Sequence, residues 1–103
     1  MSQTLLRVQR LAEVGEIRIS FHGYDELSAD DISIRDIIRG LILVEDYPEY
    51  FKGPCVLVLE EDSHGLPLHV VWGIPKNASG PAVLVTAYRP KVDRWSADFK
   101  VRL

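Results

Sequence analysis

The sequence predicts an α+β domain: an N-terminal strand and two to three helices packed on a three- to four-stranded antiparallel sheet. Three observations predict it. Apolar residues recur at helical spacing before residue 43, and three runs rich in β-branched residues fill the second half. Between those runs lie short loops with Gly and Pro, the mark of a meander rather than of crossover connections. At 103 residues, with 47% hydrophobic and 26% charged side chains, the chain suits one domain. That domain is read over 1–103, with a helix in 1–15 and the core in 16–103.

The elements follow in order. In TLLRVQRLAEV, residues 4–14, Leu5, Val8, Leu11 and Ala12 share a helical face, with Thr4 placed to cap and Gly15 to terminate. EIRISF, residues 16–21, alternates Ile17, Ile19 and Phe21 with polar residues, the period of a half-buried strand. HGYDELSADD is short and polar, with room for one or two helical turns that pack Tyr24 and Leu27. The clearest helix comes next: Ser33 and Asp36 form a capping box, and Ile34, Ile37, Ile38, Leu41 and Ile42 make an unbroken apolar stripe.

EDYPEYFKGP reads as irregular, with Tyr47, Tyr50 and Phe51 covering an edge of the core. Strands are expected at 55–61, 68–74 and 82–89. The last segment, VDRWSADFKVRL, reads as a short helix laying Trp95 and Phe99 on the sheet. The two later strands are apolar at both parities, so their second face needs cover from the C-terminal segment or another molecule.

Charge is bipolar beneath a net −3: residues 25–62 carry eleven acids against Arg35, Arg39 and Lys52, while 87–103 hold five cations and two acids. An acidic total departs from the basic footprint of dedicated nucleic-acid binders, so any phosphate site must be local. No run of residues is apolar enough for a membrane span. One cysteine, Cys55, excludes an internal disulfide. The N-terminus lacks the basic-then-apolar pattern of a secretory signal, and the expected compartment is the cytoplasm.

The candidate chemistry centres on His69, inside an otherwise apolar strand. Pairing the hairpin tightly across its loop sets Ile74 opposite Ala82, Val71 opposite Val85 and His69 opposite Ala87. Arg89 then lies two positions along the same side. A one-residue shift would bring Tyr88 and Thr86 instead. An imidazole for proton transfer, a guanidinium for phosphate and a phenol are groups that metal-independent RNA cleavage needs. The plainer alternative makes His69 a satisfied core histidine and leaves Tyr88 and Arg89 to packing and surface. His22, beside Tyr24, Asp25 and Glu26, is a second acid/base candidate. His22, His69 and a carboxylate match no HExxH-like spacing, so no metal and no cofactor is expected. A nucleophilic role for Cys55 would need an adjacent base, and the residue reads instead as a buried thiol.

At HGYDELSADDIS, DYPEYFKGP, LHVVWG, TAYRP and RWSADF the sequence resembles a family of small bacterial proteins known as domain of unknown function 4258, over residues 17–102. The resemblance implies a fold like the RelE/ParE-type toxins and a zinc-finger antitoxin partner resembling MqsA. By position, the family's recurring polar residues fall on His22, His69, Tyr88 and Arg89. The expectation drawn from it is a toxin of a toxin-antitoxin pair, acting on RNA as a ribonuclease. The alternative is a non-catalytic interaction protein on the same fold, with Trp72, Trp95 and Tyr88 as anchors or a second copy of the chain as partner.

Overall fold

A computed structural model describes residues 2–33, 37 and 41–103. The elements in chain order are α1 (Gln3–Glu13), β1 (Ile17–Ile19), α2 (Phe21–Ala29), β2 (Ile42–Tyr47), β3 (Cys55–Glu61), β4 (Pro67–Gly73) and β5 (Ala82–Tyr88). The sheet runs β1-β5-β4-β3-β2.

This corrects the expected architecture in two respects. The sheet has five strands and is mixed, because β1 lies parallel to β5, Ile17 beside Ala82 and Ile19 beside Leu84. Alternation marks a strand but carries nothing about a partner far away in the chain. The second difference is β2, in a stretch divided between a helix and an irregular segment. The apolar run Leu41–Val44 suits either period, and pairing with β3, Leu43 against Val58 and Asp46 against Val56, selects the strand. Ile42 therefore opens β2 and does not close a helix. The other residues of that expected helix, Ile34, Arg35, Asp36, Ile38, Arg39 and Gly40, lie outside the described residues. Ile37 is fully buried.

Among the described residues there are two helices. Ser2, two residues before the expected Thr4, caps α1: its Oγ accepts the Leu5 N–H at 3.0 Å. Gly15, at φ 76°, ends the turn after it. Both helices lie on one face of the sheet, where Val8 and Leu27 meet Val56, Val58, Leu68, Val70, Trp72, Leu84 and Ala87 in one apolar cluster. Trp72 is wholly buried there, so it cannot anchor a partner. No helix among the described residues is long and apolar enough to cross a membrane.

One residue of β5 changes which side chains face outward. Gly73 opposes Val83 and Trp72 opposes Leu84, the register expected from the loop; beyond them Val71 opposes Thr86 and His69 opposes Tyr88. Val85 is the extra residue of a β-bulge. The bulge keeps both Leu84 and Ala87 in the core, each fully buried, and turns Tyr88 to the outer face. Ser20, the N-cap of α2, holds it: the Ser20 N–H donates to the Leu84 carbonyl and its Oγ–H to the Val85 carbonyl, both at 3.0 Å. The same Oγ accepts from the Gly23 N–H at 2.9 Å.

Candidate functional site

The outer face of the sheet, away from the helices, is where the predicted chemistry and the unfilled surface meet. It divides into two halves.

The first half is closed by the chain's own end. After β5 the chain returns across the face and turns tightly between Trp95 and Arg102, which form an isolated bridge in place of the expected helix. The Ser96 N–H donates to the Val101 carbonyl at 2.8 Å, and Asp98 accepts from the Ser96 hydroxyl and the Lys100 N–H. This turn places Phe99 at φ 60°, a left-handed conformation that costs a non-glycine residue energy. Its carbonyl meets His69 Nε2 at 2.8 Å.

His69 is completely buried under this strap. Because a carbonyl only accepts, Nε2 carries the proton, and Nδ1 accepts from the Tyr88 hydroxyl at 3.1 Å. Both ring nitrogens are thereby satisfied in the neutral form. Burial pushes the imidazole below its ordinary value, aided by the nearby Arg102 charge and opposed by the Phe99 carbonyl and Glu45. Burial likewise pushes the Tyr88 phenol up. The Trp95 ring stands edge-on to His69, centroids 4.3 Å apart, and Arg102 lies over Trp95 at 4.7 Å. Arg102 then forks onto Glu45 of β2, Nε to Oε2 at 2.8 Å and Nη2 to Oε1 at 2.9 Å. That bond, joined by the Tyr47 hydroxyl, holds Glu45 below the usual carboxylate range.

The remaining candidates lie elsewhere. Arg89 follows Tyr88 and takes the opposite side, where Nη2 pairs with Asp62 at 3.0 Å. Asp62 is the hub of the β3–β4 turn. Its carboxylate, kept low chiefly by the Leu66 N–H, also accepts from His64 and Arg89. Arg89 thus ties that turn to the end of β5. His22 is exposed on α2, 3.4 Å from Glu26 one turn on. The sheet stands between it and His69. The structure therefore brings His69 and Tyr88 together and leaves Arg89 and His22 apart from them.

The second half of the outer face is open. A groove of about 590 Å³ runs over Val71, Gly73, Val83 and Val85, with Cys55 beside them. Tyr47 and Tyr50 form one wall, and Arg18 and Lys52 also line it. The tyrosines are nearly half exposed and do not cover the core as expected. Burial raises the Cys55 thiol, so it is not an activated nucleophile. Sequence reasoning missed Arg18, Lys52 and the two tyrosines; its one relevant signal was that the strands are apolar at both parities. Among the described residues no cluster of His, Cys, Asp and Glu is arranged to hold a metal.

Residues 19–89 match the family described as Domain of unknown function (DUF4258), and the chain belongs to that family. No curated protein and no solved structure matches the chain. The family match spans α2 and all of β2 to β5, and thus both His69 and the floor of the groove.

Proposed function

We propose that this member of the DUF4258 family is a non-catalytic interaction domain that receives a segment of a partner protein in the open half of its outer sheet face. The contrast between the two halves of one surface carries the reading. Around His69 the chain supplies its own cover; around Val71 and Val85 the same sheet is apolar and open, with Val83 nearly buried in its floor and half-exposed tyrosines as a wall. Such patches on small proteins mark binding sites, and tyrosine is enriched in them. His69 takes a positioning role in this reading, fastening the strap that bounds the groove, and no cofactor is involved. The zinc-finger antitoxin type of partner implied by the family resemblance is the first candidate to bind.

A second reading, a metal-independent ribonuclease of the RelE/ParE toxin kind, draws on one contact: an imidazole and a phenol within proton-transfer distance at His69 and Tyr88. It requires the strap to leave His69 and leaves Arg89 engaged with Asp62.

One experiment separates the two. Wild type, Tyr88→Phe and Val85→Asp are induced in cells, growth is scored and RNA 5′ ends are mapped. In parallel each is co-purified with the tagged product of the neighbouring gene. The interaction reading expects no new RNA ends and a complex kept by Tyr88→Phe and lost by Val85→Asp. Growth arrest with new RNA ends that vanish in Tyr88→Phe would overturn it.

A further inference from the structure

The groove carries charge as well as apolar surface. Arg18 projects from β1 at one edge of the sheet, and Lys52 comes from the β2–β3 loop on the other side of the floor. Among the described residues neither takes part in an ion pair, although Arg89, Arg102 and His22 all do. On a chain of net charge −3, two cations with no ion pair among the described residues thus stand on either side of an apolar, open stretch of the sheet.

Resting on the interaction reading above, we propose that the groove's occupant is a partner segment in which a large apolar side chain is flanked by carboxylates. The apolar group seats on Val71, Val83 and Val85, and the carboxylates meet Arg18 on one side and Lys52 on the other. Charge complementarity of this kind selects partners and sets register more than it adds affinity. A nucleic acid fits less well. The floor is aliphatic, and the two cations that line the groove stand on opposite sides of it, too few to follow a continuous run of phosphates. Isolated carboxylates need only reach the cations.

The test uses the intact chain. Random peptides displayed on phage are selected on wild type and counter-selected on Val85→Asp. The expected winners place Leu, Ile or Phe between Asp or Glu residues. A synthetic winner then slows maleimide labelling of Cys55, the only cysteine. Arg18→Gln and Lys52→Gln each weaken that peptide by about two- to five-fold, an effect erased by high salt. Winners that depend on Val85 but are neutral or basic would overturn the carboxylate proposal and leave the interaction reading standing. No Val85-dependent peptide at all would overturn both. Protection of Cys55 by a single-stranded oligouridylate, or by self-association lost in Val85→Asp, would replace the proposed occupant with RNA or with a second copy.

Discussion

Ser20 and Val85, 65 positions apart in sequence, are joined by a hydrogen bond of 3.0 Å that ties the start of α2 to the bulge in β5. The bond matters for the outer face because the bulge sets parity for everything after it. Without the extra residue, Arg89 and Ala87 would take the outward positions beside His69, and Tyr88 would turn toward the helices. With it, the phenol reaches the imidazole and the guanidinium reaches Asp62.

Ser20→Ala removes the cap on Gly23 and the bond to Val85 together. A lost N-cap costs about 1 kcal/mol and a lost hydrogen bond a similar amount, so a loss of about 2 kcal/mol is expected in urea unfolding. Ser20→Asp restores the cap but has no hydroxyl proton for the Val85 carbonyl, and should recover only part. Full recovery by Asp would show that the bulge bond contributes nothing.

Gly23→Ala should destabilise the protein even though Ala is the better helix former. A Cβ at this position would stand 2.6 Å from Leu84 Cδ2 and 2.8 Å from the Leu84 backbone oxygen. The side chain can yield, but the carbonyl belongs to the bulged strand. Overpacking of this kind costs about 1–3 kcal/mol, against about 1 kcal/mol of helix propensity gained. A raised melting temperature in Gly23→Ala would contradict the close approach of α2 to β5.

What could be read from the sequence divides by range. Val56–Leu59 and Val83–Val85 announce their strands through β-branched runs, and Leu5, Val8 and Leu11 announce α1, because each signal lies within a few residues. The pairing of β1 with β5 joins positions 17–19 to 82–84, and no local pattern encodes it. The hairpin register was legible near the loop and not beyond Leu84, since Thr86 and Ala87 differ too little in polarity to reveal which one is buried. His69 and Tyr88 were visible as candidates, whereas Arg18 and Lys52 are ordinary charges until the fold places them around an uncovered floor.

The neutral, buried state of His69 gives a pH dependence whose sign follows from linkage. The folded imidazole titrates below its ordinary value of 6.5, so the unfolded chain binds the extra proton first. Stability from this source is full above about pH 6.5, the unfolded value, and is lost as pH falls through the folded one. The carboxylates of Glu45, Asp62 and Asp98, all lowered by their partners, act only in a more acidic window, near and below their ordinary values of 4.5 and 3.8. His69→Gln keeps an N–H donor for the Phe99 carbonyl but does not titrate. Urea midpoints measured across pH should fall between neutrality and pH 5 in wild type and stay level in His69→Gln. Equal slopes in the two proteins would place the pH dependence elsewhere.

The strap makes a prediction about reactivity that separates burial from chemistry. Diethyl pyrocarbonate acylates neutral imidazoles that solvent can reach, and the chain has three histidines, of which His22 and His64 are exposed and His69 is not. In wild type, mass spectrometry should find His22 and His64 modified and His69 spared. Trp95→Ala removes the ring that stands 4.3 Å from the imidazole and the platform under Arg102, so the strap loses its grip on both sides. His69 should then react at a rate approaching the other two while the sheet persists by circular dichroism. Arg102→Ala, which deletes the exposed fork to Glu45 and the cation over Trp95 but leaves the ring against His69, should give an intermediate rate. A wild-type His69 that reacts as fast as His22 would mean that the strap does not seal the pair, and the ribonuclease reading would regain its main requirement.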